Sequence, residues 1–146
     1  IFVLRFGTSN IHDAAKVLKS IEEHSSKEGA VKPIILCDPM HGNTVKHKNG
    51  MKTRELPKMI AEVHTLAGIC SSYGLRLHGL HLEANGVNGT KECVDEVGEA
   101  PIDAGRVDPE LSNEQLKKLL EETELCFIDE QKARDIRHND GFVVTP

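Results

Sequence analysis

The sequence is poor in aromatic residues and has no excess of positive charge. It contains no tryptophan, one tyrosine and four phenylalanines, and its formal net charge is −5. Proteins that bind nucleic acids generally need a basic surface, and those that bind single strands also stack bases on aromatic rings. No apolar run approaches the roughly 20 residues that cross a membrane. We therefore expect neither a nucleic acid nor a membrane among the partners of this protein.

The four cysteines lie far apart and form no CxxC motif. In a chain of 146 residues without the character of a small secreted domain, this spacing indicates reduced thiols. It favours a cytoplasmic location, or a plastid if the source is a plant. The sequence starts with an apolar run at Ile1 and lacks both an initiator methionine and a signal-peptide pattern. From this start we expect a fragment of a longer protein.

What the sequence does contain is an alternation of short apolar runs and amphipathic helical patterns. The runs predict strands at 1–6, 33–37 and 76–83, and the helical patterns predict helices at 11–25 and 56–73. The capping-box pattern Ser112-Asn113-Glu114-Gln115 predicts the start of a third helix after Ser112. This β-α-β-α-β-α order predicts right-handed crossovers and a parallel sheet. The first strand is apolar at nearly every position, which is typical of a strand buried on both faces. The sheet could be a small open one or three consecutive units of an eight-stranded β/α barrel.

Polar residues follow these strands, at the edge where both architectures place their chemistry. His41, Glu83 and Asp108 each lie at or just after the end of a different strand. One imidazole and two carboxylates suit a divalent cation such as Mn²⁺, Co²⁺, Fe²⁺ or Zn²⁺. The spacing between the three residues follows no local motif, so a rim of solvated polar side chains stays open as the alternative.

Cationic residues could bind an anion at the same edge. Arg5 ends an otherwise apolar strand, and a guanidinium there either grips a phosphate or carboxylate or pairs with Asp38 or Glu83. The loop over 38–54 is too long for a plain connector and carries a cluster of cations. The members of this cluster are Lys46, Lys48, Lys52 and Arg54. The cluster could recruit an anionic substrate or be a solvated face.

Several short strings of residues occur in an order that is more specific than any of them alone. CDPMHGNT spans residues 37–44, MKTR spans 51–54, HLE spans 81–83 and DP spans 108–109. In this order they resemble the C-terminal part of the class II 3-deoxy-D-arabino-heptulosonate 7-phosphate (DAHP) synthases, over about residues 2–120. The resemblance implies a (β/α)₈ barrel and a divalent metal. It also implies a transferase that condenses phosphoenolpyruvate with erythrose 4-phosphate, the first step of the shikimate pathway.

The resemblance further implies a role for individual residues. Three positions match three of the family's four protein metal ligands: His41, Glu83 and Asp108. The expected metal is Mn²⁺ or Co²⁺, with Zn²⁺ or Fe²⁺ as alternatives. Arg5 matches the arginine that grips phosphoenolpyruvate, and Lys52 and Arg54 match active-site cations near substrate phosphate. We therefore expect Arg5, His41 and Lys52 to act in catalysis.

The chain departs from the family pattern in several places. The family's fourth metal ligand is a cysteine upstream of the region present here, so we expect a missing N-terminal segment to supply it. The string NGTKEC over 88–93 is one residue longer than the family's usual NVTEC, and DPELS over 108–112 stands where the family has DPRLN. These differences leave open a synthase that acts on a related sugar phosphate.

These features predict a partial (β/α)₈ barrel of about three consecutive βα units over 1–128, with a tail of uncertain structure at 129–146. Three strands leave open edges and an uncovered inner face. We therefore expect the piece to be inactive alone and to be held by the missing N-terminal segment or by self-association into a homo-oligomer. Two other functions stay open. One is a non-catalytic domain of this fold that binds an anion or a metal, and the other is a metal-dependent barrel aldolase that uses pyruvate.

Overall fold

The computed structural model describes residues 1–85, 91–102 and 108–127. The tail at 129–146 and two parts of the connection before the last helix, 86–90 and 103–107, lie outside the described residues. The elements in chain order are β1 Phe2–Leu4, α1 Ala14–Ser25, β2 Ile35–Cys37, β3 Thr44–Lys46, β4 Lys52–Arg54, α2 Leu56–Ser72, β5 Gly79–Leu80 and α3 Asn113–Thr123. Short 3₁₀ turns lie at Ile11–Asp13, His41–Asn43 and Glu124–Cys126.

The strands β1, β2 and β5 form one parallel sheet in the order β1-β2-β5. Val3 pairs with Leu36, and Leu36 pairs in turn with Gly79 on the other side. The α/β class and the parallel sheet predicted from the alternating pattern are confirmed. The third strand is much shorter than the predicted 76–83, because only Gly79–Leu80 keeps strand geometry. All three strands end at the same edge of the sheet.

The helices begin and end close to the predicted positions. α1 buries Leu18 and Ile21 and turns its lysines to solvent, as its apolar spacing requires. α3 starts with the capping box read from the sequence, in which the Ser112 hydroxyl accepts from the backbone N–H of Gln115 and the Gln115 side chain accepts from the backbone N–H of Ser112. No helix in the described ranges has the length and apolar character of a membrane span.

Two apolar clusters share α2 as their common wall. The first packs α1 and α2 against one face of the sheet, with Leu18, Val63 and Ile35 among its fully buried members. The second packs α2 against α3 and includes Met40 and Leu119. Met40 lies in the turn after β2, so the second cluster anchors the segment that carries His41. Helix α2 therefore supports both the sheet and the turn at its edge.

The expectation that the first strand is buried on both faces is wrong for the described residues. The helices cover the face that carries Leu4 and Ile35, both of which are buried. Side chains alternate between the faces of a strand, and on the opposite face Val3 is 47% exposed and Ile34 is 46% exposed. No described element packs on that second face. Among the described residues, the sheet therefore has one covered face and one open apolar face, which is compatible with part of a barrel.

The loop predicted over 38–54 contains an antiparallel hairpin that the sequence did not reveal. β3 and β4 pair from Thr44 opposite Arg54 to Lys46 opposite Lys52. Gly50, with a φ of 87°, provides the left-handed residue that the turn requires. These strands consist mainly of lysine, threonine and arginine, so they lack the apolar alternation by which a strand is recognised.

The four cysteines are free thiols that differ in burial. Cys37, Cys70 and Cys93 are fully buried. Burial raises the pKa of the Cys70 thiol to about 11 and the pKa of the Cys93 thiol to about 12. Cys126, in the turn after α3, is only partly buried and lies 3.3 Å from Nδ1 of His64.

We expect a maleimide to label Cys126 first in the folded protein at neutral pH. The thiolate is the reactive form of cysteine, and a buried thiol with a raised pKa supplies little of it. Cys37, Cys70 and Cys93 should react only after denaturation. Intact mass and peptide mapping over time would measure the order, and labelling of Cys37 as fast as Cys126 would contradict the burial described.

Candidate active site

The turns that follow the parallel strands bring charged side chains to one edge of the sheet. Arg5 directly follows β1, Asp38 directly follows β2, and Glu83 comes shortly after β5. The ladder continues past the strand ends, because the backbone N–H of Asp38 donates to the carbonyl oxygen of Leu4 at 2.8 Å. This bond fixes the position of Asp38 relative to the end of β1, which Arg5 directly follows.

Asp38 is a fully buried carboxylate at the centre of this edge. Its Oδ1 accepts the backbone N–H groups of Met40 and His41, both at 3.1 Å. Its Oδ2 lies 2.8 Å from Nδ1 of His41 and 3.2 Å from Nε of Arg5. Burial alone would raise the pKa of Asp38, but these hydrogen bonds outweigh it and hold the pKa below its usual value. The group is therefore a charged anchor at neutral pH.

His41 is held between two carboxylates. Asp38 contacts Nδ1, and Oε1 of Glu83 lies 3.1 Å from Nε2. A carboxylate on Nδ1 fixes the orientation of the imidazole ring and directs Nε2 toward Glu83. The ring also stacks on that of His81, with centroids 6.3 Å apart. The imidazole therefore has a fixed orientation and partners at both nitrogens.

Arg54 is fully buried, which the sequence did not indicate. Its Nε donates to the hydroxyl of Thr44 at 2.9 Å, and its Nη1 donates to Oε2 of Glu83 at 2.8 Å. Nη1 also donates to the carbonyl oxygen of Pro109. Nη2 is buried and has no hydrogen-bond partner among the described residues. Arg54 thus links the hairpin to Glu83 and to the segment that carries Asp108.

Lys52 and Asp108 form an exposed ion pair beside this group. Nζ of Lys52 lies 3.2 Å from Oδ1 of Asp108, and each side chain is more than half exposed. The hydrogen bond and the charge of Lys52 lower the pKa of Asp108. Lys46 is the cross-strand neighbour of Lys52 and is also exposed, as is Lys48. The predicted cationic cluster is therefore divided into exposed lysines and a buried arginine.

The structure brings some of the predicted metal ligands together and leaves one apart. His41 and Glu83 are in direct contact, whereas Asp108 contacts Lys52. Over 1–85, 91–102 and 108–127, no three His, Cys, Asp or Glu side chains group as a metal site. Arg5 pairs with Asp38, which is one of the two partners that the sequence offered.

The donors of His41 and Glu83 fit a divalent cation. Two neighbouring ligands with metal bonds of roughly 2.1 Å are about 3 Å apart in octahedral geometry, and Nε2 of His41 lies 3.1 Å from Oε1 of Glu83. Asp38 on the far nitrogen of His41 is the second partner that ligating histidines commonly have. The pair therefore offers two adjacent positions to a metal, and a complete site needs further ligands.

Sequence reasoning missed Asp38 as an orienting residue and treated it only as an ion-pair partner of Arg5. A signal was present, since an aspartate that accepts backbone N–H groups two and three residues later is a common turn element. Reading the aspartate and the histidine of CDPMHGNT together would have suggested the contact.

Comparison with known proteins shows which family has a sequence like that of this chain. The sequence model described as the class-II DAHP synthetase family matches residues 1–120. The chain belongs to the class-II DAHP synthetase family. The match includes β1, β2, β5 and every predicted site residue. Of the described residues, only 121–127 lie beyond it.

Individual relatives agree with this assignment. The phospho-2-dehydro-3-deoxyheptonate aldolase AroG of Mycolicibacterium smegmatis is 31% identical over 91% of this chain and 28% of its own length. The aldolases of that name from Streptomyces coelicolor and Neurospora crassa are 36% and 27% identical, over 64% and 97% of this chain and over 20% and 30% of their own lengths. The chain thus spans less than a third of the length of these curated relatives.

We expect Arg54→Leu to lower the free energy of unfolding by about 3 kcal/mol. The change removes a fully buried guanidinium and leaves the carboxylate of Glu83 and the carbonyl oxygen of Pro109 without their donor. Urea denaturation followed by circular dichroism would measure the loss. Lys52→Leu, two residues earlier on β4, is the matched control. It removes only an exposed ion pair and should change stability little. Equal losses in the two variants would contradict the buried role of Arg54.

Proposed function

We propose that the polypeptide that carries this sequence is a 3-deoxy-7-phosphoheptulonate synthase, which joins phosphoenolpyruvate to erythrose 4-phosphate and releases phosphate. Residues 1–128 would supply about three consecutive βα units of its (β/α)₈ barrel. Membership of the family and the parallel sheet support this proposal. The observation that carries it is His41, held by Asp38 and facing Glu83 at the carboxyl ends of the strands.

Arg5 is suited to hold phosphoenolpyruvate. Its side chain is 56% exposed, and among the described residues it is paired only through Nε, to Asp38. The two terminal nitrogens can therefore form the fork that a phosphate or carboxylate accepts. Because Asp38 also fixes His41, the bound anion would have a defined position relative to the imidazole. This arrangement would set the approach of phosphoenolpyruvate to the aldehyde of the sugar.

His41 and Glu83, with Asp108 as a third ligand, would hold a divalent metal such as Mn²⁺ or Co²⁺, with Zn²⁺ or Fe²⁺ as alternatives. When bound, such an ion supplies Lewis-acid polarisation of the aldehyde oxygen. His41 is suited to be a ligand through Nε2, because Asp38 holds Nδ1, and a ligating imidazole has little freedom to carry a proton. Arg54 keeps Glu83 oriented through Oε2 and leaves Oε1 directed at His41.

The proposed roles of Lys52 and Asp108 require their ion pair to open. Asp108 would then turn its carboxylate to the metal, and Lys52 would offer its ammonium group to a substrate phosphate. Exposed ion pairs contribute little to stability, so this exchange costs little free energy. The pair is thus compatible with a ligand role for Asp108 once substrate and metal are present.

The open face of the sheet supports the proposal that other parts of the polypeptide, or further copies of it, complete the fold. Val3 and Ile34 lie on this face and are each nearly half exposed. Apolar surface of this kind is normally covered in a native protein. The relatives are more than three times as long as the matched region, which leaves ample chain to cover it. A cytoplasmic or plastid location fits this biosynthetic role.

A non-catalytic domain that binds a metal or an anion is the second candidate. The contact between Lys52 and Asp108 favours it, because it keeps the third predicted ligand away from the His41–Glu83 pair. The two candidates differ in turnover. Loss of phosphoenolpyruvate in the presence of Mn²⁺ and erythrose 4-phosphate supports the synthase, and binding of either ligand without turnover supports the second candidate. Turnover with pyruvate in place of phosphoenolpyruvate would indicate a different aldolase.

We expect His41→Ala, made in the polypeptide that carries this sequence, to lower the turnover of phosphoenolpyruvate by about a hundredfold or more. It should also weaken Mn²⁺ binding, measured by electron paramagnetic resonance of the free ion. His12→Ala is the control, because His12 is exposed and contacts only Asp13 among the described residues. Turnover and Mn²⁺ affinity that remain at the unsubstituted level in His41→Ala would refute the ligand role.

A further inference from the structure

Helix α2 carries a fully buried glutamate that the proposed reaction does not use. Glu62 has no exposed surface and lies beside Val63, which belongs to the core between α1, α2 and the sheet. An ionisable side chain is costly at such a position unless specific partners compensate for the lost water. No lysine or arginine of the described chain pairs with it. Its partners are therefore neutral donors.

Those donors come from two turns at the candidate active site. Oε1 of Glu62 accepts the backbone N–H of Phe6 at 3.1 Å and that of Gly7 at 2.9 Å. Oε2 accepts Nδ2 of Asn43 at 2.5 Å. Phe6 and Gly7 directly follow Arg5, and Asn43 ends the 3₁₀ turn that begins at His41. One carboxylate thus joins the turn that carries Arg5 to the turn that carries His41.

Asn43 extends this connection. Its Nδ2 also donates to the carbonyl oxygen of Pro39 at 2.8 Å, and its Oδ1 accepts the backbone N–H of Thr8 at 3.0 Å and the Thr8 hydroxyl at 3.2 Å. The amide of Asn43 therefore has partners in both turns. Its orientation is fixed, since reversing the amide would place NH₂ against the N–H of Thr8 and oxygen against Glu62.

The two turns also touch through their backbones. A Cβ atom added at Gly7 would lie 2.1 Å from the carbonyl oxygen of Gly42, and one added at Gly42 would lie 2.4 Å from the nitrogen of Gly7. Only two glycines permit this approach, and Gly7 also has a φ of +74°. The contact explains how a single side chain from α2 can reach both turns.

We propose that Glu62 is a positioning residue, which holds the turn after Arg5 against the turn after His41 and so sets the distance between the anion-binding guanidinium and the metal-binding imidazole. The inference rests on the function proposed above for Arg5 and His41. Burial raises the pKa of Glu62, and the hydrogen bonds from the two turns oppose this rise.

Glu62→Gln tests the proposal in the polypeptide that carries this sequence. The amide keeps the size of the side chain and one accepting oxygen, but it turns an NH₂ group toward the NH₂ of Asn43. We expect kcat/KM for phosphoenolpyruvate to fall about 10- to 100-fold, because small displacements of positioning groups have effects of this size. The KM for phosphoenolpyruvate should rise more than the KM for erythrose 4-phosphate, and the dissociation constant of Mn²⁺ should also rise.

Val63→Ala is the matched control on the next residue of α2. It removes buried apolar contacts and lowers the thermal midpoint, but it contacts neither turn through a hydrogen bond. At a temperature at which both variants are folded, Val63→Ala should keep the KM values and Mn²⁺ affinity of the unsubstituted protein. If Glu62→Gln lowers the thermal midpoint and leaves the KM values and Mn²⁺ affinity at the level of Val63→Ala, the role is merely structural and the proposal is refuted.

Nuclear magnetic resonance spectra, which need no enzymatic activity, test this inference separately from the proposed function. If the unsubstituted protein has no synthase activity, the proposed function fails, and resonances in nuclear magnetic resonance spectra then decide the positioning role. Glu62→Gln should shift both the Gly7 amide and the imidazole of His41, and Val63→Ala should shift neither. A shift of the Gly7 amide alone would refute the connection to His41.

Glu62→Asp is the second variant, for use if Glu62→Gln does not fold. It keeps the carboxylate and shortens the side chain by one methylene, so the carboxylate can no longer reach both turns. We expect the KM for phosphoenolpyruvate to rise several-fold and the imidazole resonances of His41 to shift. A KM and a His41 spectrum that match those of the unsubstituted protein would refute the proposal.

Discussion

The candidate site depends on one buried carboxylate. Asp38 has no contact with water, so its charge must be compensated by donors within the protein. Two backbone N–H groups, the imidazole of His41 and the guanidinium of Arg5 supply them. Because Asp38 also continues the ladder from β1 at the end of β2, its position is set by the sheet itself. The orientations of Arg5 and His41 therefore follow from the register of two parallel strands.

From Asp38 the contacts extend as a chain in which carboxylates alternate with nitrogen-bearing side chains. Arg5, Asp38, His41, Glu83 and Arg54 follow one another, with a carboxylate on each side of the imidazole and a guanidinium at each end. The two ends differ in exposure, since the side chain of Arg5 is 56% exposed and that of Arg54 is fully buried. The exposed end can accept an anion from solution, and the buried end orients Glu83.

The sequence predicted the helices and the parallel sheet, which follow from local patterns, and the family resemblance predicted the site residues. Apolar spacing located α1 and α2, the capping box located α3, and the parallel sheet followed from the alternation of strands and helices. The burial of Arg54 and the bridge formed by Glu62 depend on partners 29 and 55 or 56 residues away, and no local pattern records such contacts. The hairpin was missed because its polar strands are held by the pairing itself and not by an apolar face.

The ion pair of Lys52 and Asp108 bears on the binding of both the metal and the substrate phosphate that the proposed function requires. A metal at His41 and Glu83 would attract the carboxylate of Asp108, and a substrate phosphate would attract the ammonium group of Lys52. Each ligand breaks the same ion pair, so the first to bind lowers the cost for the second. Two ligands that share a cost in this way increase each other's affinity by the same factor. Because an exposed ion pair contributes little to stability, this coupling of metal binding to phosphate binding in the proposed synthase would be small.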